Sequence, residues 1–181
     1  MKNLATILIL ILVFVSCQSP EARRPVSVKT GTFIDQSVER NKEINRFQQE
    51  QIQEIIKNNP DEAYIASPNG FWYYYDVKVE DDSIRAKFGD IVSFIYDVKD
   101  FDDNYIYTKE EIQIQNYAMD QEELFSGLRE GLKLMKAGET VTFLFPSPKA
   151  YGYYGDSNKI GANITLKCQV TLHDITHKQV H

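Results

Sequence analysis

Histidines, carboxylates and a glycine-flanked tyrosine are the residues of this 181-residue chain whose types and spacing could do chemistry. His173, His177 and His181 recur every four residues, which on a helix would set three imidazoles on one face, able to hold Zn²⁺. His173 instead belongs to an alternating strand pattern and the tail beyond it frays, so no metal and no cofactor is expected. Asp100, Asp102 and Asp103 with Asn104 approach a Ca²⁺ loop, but the glycine and terminal glutamate of an EF-hand are missing, and a solvated turn is the reading. No Ser-His-Asp, Cys-His or glycine-rich phosphate loop stands out. Tyr151, between Ala150 and Gly152 with Gly155 beyond, sits in a surface loop where function is a better explanation than packing.

The N-terminus carries a different chemistry. Lys2, an apolar run from Leu4 to Val15 relieved only by Thr6, and Ser16 before Cys17 form the n-region, h-region and small residue of an export signal. The run is too short to span a bilayer, which takes about 20 residues. The pattern predicts a lipoprotein signal peptide over residues 1–16, with Cys17 acylated and starting the mature chain, although Phe14 stands where such signals usually carry Leu. The alternative, a buried N-terminal helix, is opposed by the abrupt polar, proline-containing segment after Cys17. Each buried methylene adds about 0.8 kcal/mol, so several acyl chains anchor the protein to a membrane that it does not span. Gln18 to Arg24 is not the acidic run that often directs surface display, so a periplasm-facing anchor in the cell envelope is expected.

The whole chain has 20 basic and 26 acidic side chains, and losing Lys2 with the signal takes the net charge from −6 to about −7. No basic face is available to displace counterions from nucleic acid, so no nucleic-acid partner is expected. With Cys17 lipidated, Cys168 has no partner for a disulfide. It alternates with Leu166, Val170 and Leu172 on one strand face, which predicts a buried thiol.

Residues 17–30 read as a flexible tether. Residues 31–60 read as a helical extension of one or two helices ending before Pro60, with Ile34, Val38, Ile44, Phe47, Ile52, Ile55 and Ile56 as an apolar stripe that packs on the domain or on a twin subunit. A domain over residues 61–176 follows, with residues 177–181 as tail. Ser67-Pro68-Asn69-Gly70 between aromatic runs predicts a hairpin. Strands are expected over Ile91 to Val98, Tyr105 to Tyr117, Thr140 to Phe145 and Leu166 to Leu172. A helix is expected over Gln121 to Leu134, N-capped by Asp120, with Leu124, Phe125, Leu128 and Leu132 on its apolar side.

Gly127, Gly131, Met135 and Gly138 at their mutual spacing, then Ala150-Tyr151-Gly152, Gly155, Ile160 and the strand from Leu166 to Leu172, resemble the C-terminal half of an FKBP-type peptidyl-prolyl isomerase. The resemblance implies an α+β fold: a half-wrapped antiparallel β-sheet with a short helix across its concave face, here with an N-terminal helical extension. It implies a proline pocket between helix and sheet. Tyr151 would offer its phenol to a substrate carbonyl and Phe125 its backbone N–H. Tyr96 and Ile160 would wall the proline box, Leu128 would be its floor, and Leu124, Glu123, Tyr117 and Cys168 would complete the substrate site.

Such a pocket needs no nucleophile. Amide resonance holds an X-Pro bond behind a barrier of about 20 kcal/mol. Twisting the bond moves charge off the carbonyl oxygen, so a water-poor site with a few fixed donors favours the twisted form. Three departures from the family pattern point to reduced activity: Leu128 replaces a tryptophan, Ile106-Tyr107 replaces a Phe-Asp pair, and Gln115 and Cys168 replace aromatics. Two functions therefore stand side by side, a prolyl isomerase and a catalytically weak chaperone or assembly subunit on the same fold.

The signal, Arg23-Arg24-Pro25-Val26, the charged helix from Glu39 to Asn59 and Tyr64-Ile65-Ala66-Ser67 before Gly70-Phe71-Trp72 resemble the gliding-motility-associated isomerase lipoproteins of gliding bacteria. That implies proline-containing envelope proteins or unfolded polypeptides as partners. Asp82-Ser83-Ile84 resembles a short O-glycosylation signal of such bacteria. The helical extension also leaves open a homodimer.

Overall fold

The computed structural model describes residues 30–80 and 84–178. Cys17, the signal, nearly all of the tether, Asp82, Ser83 and His181 lie outside them. The chain divides into two compact units, Met1–Val38 and Glu39–His181.

A single helix, α1 (Thr30–Asn58), stands where one or two were expected. Asn59 ends it, its backbone N–H 3.1 Å and its side-chain amide 2.8 Å from the Ile55 carbonyl, and Pro60 prevents continuation. The stripe it buries differs from the expected one. Gln48 and Ile52 are buried, flanked by half-buried Ile44, Gln51, Ile55 and Ile56, whereas Phe47 is 59% exposed and Ile34 and Val38 are exposed too. Steps of four residues from Ile44 keep one face inward, and Phe47 falls to its side. A polar residue sits in the centre of that face, which hydropathy alone misses.

The sheet is antiparallel throughout. β1 (Ile65–Ala66) and β2 (Trp72–Val77) form the hairpin around Gly70, and β2 pairs with β7 (Thr140–Phe145). β7 pairs with the long β8 (Leu166–Thr176), β8 with β3 (Ile91–Tyr96), and β3 with β6 (Gln115–Ala118). Two short strands, β4 (Val98–Lys99) and β5 (Tyr105–Tyr107), pair with each other, and β4 also pairs with β8. The expected strand from Tyr105 to Tyr117 is broken by α2 (Lys109–Ile112), for which Thr108 and Glu111 make a reciprocal capping box.

The helix beside the sheet, α3 (Ser126–Leu132), is shorter than expected and starts after Phe125, not Asp120. Asp120 takes a positive φ of 60°, and its carboxylate pairs with Lys133 at 3.0 Å instead of capping. Residues 119–125 are held as a loop, with Met119 N–H on Asp90 O, Ala118 N–H on the Glu122 carboxylate and Tyr117 O–H on Glu122 O. This brings Glu122 and Glu123 to the surface beside the sheet, with Leu124 half-buried and Phe125 buried.

The core lies between α3 and the sheet. Leu128, Leu132 and Met135 meet Val141, Phe143 and Phe145 of β7 and the alternating Leu166, Cys168, Val170 and Leu172 of β8. Each such side chain contributes about 1.5–3 kcal/mol on burial. The helix approaches β7 closely because Gly127 has no side chain: a Cβ there would lie 2.7 Å from the Lys149 carbonyl and against the Phe145 ring. On β7, Leu144 points away from Phe143 and Phe145, and with Ile52 it is fully buried outside that core.

Candidate active site

Tyr96, Glu122, Glu123, Leu124, Phe125, Arg129, Ala150 and Tyr151 line a cleft of about 700 Å³. Each wall has a local cause. Tyr96 ends β3 on the same face as Phe94, whose ring stacks on it at 5.6 Å. Phe125 occupies the N-cap position of α3 in an extended conformation, so its amide lies outside the helical ladder. Tyr151 follows the 3-10 turn Ser147–Lys149, closed by Ala150 and Gly152 N–H groups on Ser147 O.

Aromatic packing carries through to the cleft. The Phe143 and Phe145 rings stack at 5.4 Å, Phe125 meets Phe145 edge-on at 5.3 Å, and Tyr151 lies 5.2 Å from Phe125. Leu128 is fully buried and does not line the cleft, so the apolar surface offered to a ligand is the ring of Phe125 and the side chain of Leu124. Ile160, Tyr117 and Cys168 are likewise buried and off the cleft wall. Tyr117 holds the Glu122 loop through its hydroxyl, and the Cys168 thiol, pushed well up by burial, stays neutral beneath the two phenols.

Among the described residues no acceptor meets the Phe125 amide, the Tyr151 hydroxyl or the Tyr96 hydroxyl. Donors of this kind suit substrate carbonyls flanking an imide bond. Burial pushes the Tyr151 phenol up to about 12, and the negative charge of Asp156 adds to it. Burial also raises Tyr96, with Tyr151 acting in the same direction. Both phenols remain donors throughout the neutral and mildly alkaline range. Isomerisation should therefore be flat between about pH 6 and pH 10, where an ordinary phenol would be half ionised. A rate that falls with a midpoint near 10 would show that the proton on Tyr151 is held no better than in water.

Glu122 and Arg129 complete the cleft without any sequence signal that singled them out. Asp156 and Tyr107 form a hydrogen bond beside it, and Asp156-Ser157-Asn158 could have been read as a turn in which a carboxylate accepts the amide two residues on. The remaining expected residues fall elsewhere. His173 lies on β8, and His177 Nδ1 is 2.8 Å from the Asp90 carboxylate. Asp100 accepts the Asp102 and Asn104 amides and closes a turn.

The profile of the FKBP-type peptidyl-prolyl cis-trans isomerases matches residues 82–173, about half of the chain. No curated protein matches the sequence. Among solved structures, FkpA from Escherichia coli is similar at a TM-score of 0.61 and 18% identity, covering 95% of this chain and 81% of its own. A peptidyl-prolyl cis-trans isomerase from Pseudomonas syringae pv. tomato is similar at a TM-score of 0.60 and 15% identity, covering 75% of this chain and 96% of its own. At these identities the two structures speak for the fold, an antiparallel sheet with helices, while the profile match speaks for the family. This chain belongs to the FKBP-type peptidyl-prolyl cis-trans isomerases.

Proposed function

We propose that this isomerase is a lipid-anchored folding factor of the cell envelope, held by an acylated Cys17 on a periplasm-facing membrane, and that its cleft binds proline-containing segments of envelope proteins. The observation that carries the catalytic part is the cleft itself, where the Phe125 amide and the Tyr151 hydroxyl meet no acceptor among the described residues and stand beside an aromatic wall. In this reading Leu124 and Phe125 seat the proline ring, and the two donors hold the flanking carbonyls while the bond twists. The signal-like N-terminus supports the anchor, and the resemblance to gliding-motility lipoproteins supports a role in assembling that machinery.

A second reading, a holding chaperone or assembly subunit, is favoured by one observation. Tyr154 at the loop tip is 88% exposed beside the exposed Tyr153, a pair suited to apolar segments of unfolded chains. Exposed Phe47 on α1 supports self-association through the helical extension.

The two readings separate in one experiment. Cis/trans exchange of a short Xaa-Pro peptide series is measured with protein lacking the signal and carrying Cys17→Ser, beside a Phe125→Ala, Tyr151→Ala double variant. Acceleration that drops at least about 100-fold in the variant supports catalysis at this cleft. A folded protein that binds unfolded clients without acceleration selects the chaperone. Palmitate labelling of the full-length protein that survives Cys17→Ser would sink the anchor.

A further inference from the structure

The loop from Tyr151 to Ile160 carries one wall of the cleft, and something must hold it, since loops of this exposure otherwise sample many conformations. Asp156 lies at its centre. One carboxylate oxygen, Oδ1, accepts the amides of Asn158 and Ile160, each at 2.8 Å, and the other, Oδ2, accepts the Tyr107 hydroxyl from β5. The Asp156 amide bonds back to Ile160 O at 3.1 Å. The Tyr107 hydroxyl oxygen (Oη) also accepts the Lys159 amide at 3.3 Å, so the phenol is gripped from both sides. A second tie runs parallel, with the Lys159 ammonium on Glu111 of α2 and 4.8 Å above the Tyr107 ring. Burial alone would raise the Asp156 carboxyl, but the hydrogen bonds from Tyr107, Asn158 and Ile160 outweigh it and hold the group below its usual range. The strap is thus made at neutral pH.

We propose that Asp156 is a positioning residue for prolyl isomerisation: joined to Tyr107, it straps the Tyr151 loop to β5 and fixes the Tyr151 hydroxyl against the Phe125 amide and Tyr96 across the cleft. The carboxylate comes from the loop, and the strand supplies the phenol that it binds. Asp156 touches no substrate in this scheme. Its effect passes through the placement of Tyr151, and the proposal rests on the isomerase reading of the cleft.

Tyr107→Phe, Asp156→Ala and the double variant test it, each in otherwise unchanged protein. kcat and KM for an Xaa-Pro peptide are measured by exchange spectroscopy, and hydrogen exchange is followed at the Asn158 and Ile160 amides. Each single change should lower kcat about tenfold with KM within a factor of two. The double variant should fall no further than the worse single one, because both changes cut the same strap. Exchange at both amides should rise at least tenfold in Asp156→Ala. A role confined to stability would lower the thermal midpoint and leave kcat unchanged in the folded protein, which would overturn the proposal, as would independent, multiplying losses. If the parent protein shows no acceleration, the isomerase reading falls first. The exchange data then decide the strap alone, with unchanged protection overturning it.

Discussion

Gly155→Ala is expected to cut kcat/KM for an Xaa-Pro peptide about 100-fold, the scale of loss that follows a misplacement of about 1 Å in a positioned group. Gly155 has φ +69°, and an added Cβ would run into the Ile160 carbonyl and sit 3.0 Å from the Gly161 carbonyl carbon. Neither neighbour is the free end of a side chain. The Ile160 carbonyl is fixed by the Asp156 amide, so the methyl group can be accommodated only by moving the loop that bears Tyr151. Left-handed backbone costs an alanine about 1–2 kcal/mol before any clash is counted. Gly138→Ala is the control. Its φ is +86°, but the nearest atom to an added Cβ is a Val79 methyl at 3.6 Å, so it should carry the backbone cost without touching activity. Steady-state exchange rates of the two variants check this, and equal activities would remove the argument.

The second large effect falls on stability. Gly127→Ala should lower unfolding free energy by about 3 kcal/mol, at the upper end for overpacking. Total stability of a domain is about 5–15 kcal/mol, so a large share is lost, and the thermal midpoint should fall by about 10 °C. The reason is again the identity of the obstacle. The methyl would meet the Lys149 carbonyl at 2.7 Å, a backbone atom in the 3-10 turn, as well as the Phe145 ring. At Gly131 the obstacle is only the Phe143 ring, at 2.9 Å, so Gly131→Ala should cost less. Calorimetry of the two variants reads the order, and the reverse order would show that the turn yields more easily than the ring.

Much of this was legible in sequence because it depends on local pattern. The alternation of Leu166, Cys168, Val170 and Leu172 gave both the strand and its inward face, and the glycines of α3 and the Tyr151 loop carried the family resemblance. What the pattern could not carry was determined by partners far along the chain. Asp120 looks like an N-cap because it is an aspartate before a helical run, but its neighbours are drawn to Asp90 and Glu122, and the helix starts five residues later. Leu128, expected as a pocket floor from its position in the motif, is fully buried in the core, while Phe125 and Phe145 meet edge-on beside the cleft. The capping box of Thr108 and Glu111 was readable and would have divided the strand region correctly. Gln48 was not, since a glutamine between hydrophobic residues reads as the polar side of a helix.

That glutamine is 4% exposed and makes four hydrogen-bond contacts to groups near the Tyr151 loop: its Oε1 accepts the Ser147 amide at 2.9 Å and hydroxyl at 3.1 Å, and its Nε2 lies 3.0 Å from the Ser147 hydroxyl oxygen and donates to Asn163 O at 2.9 Å. Ser147 O in turn accepts the Gly152 amide, and Gly152 O accepts that of Asn163. The partners are 99 and 115 residues apart in sequence. Contacts of such separation pay their loop-closure entropy before any reward arrives, which makes them slow to form. During synthesis α1 is made before its partners and stays unsatisfied at Gln48 until Ser147 and Asn163 have followed. The isomerase thus finishes its cleft loop only when α1 and the distant Ser147 and Asn163 have met, and loss of either partner leaves a buried amide or a turn amide unmatched.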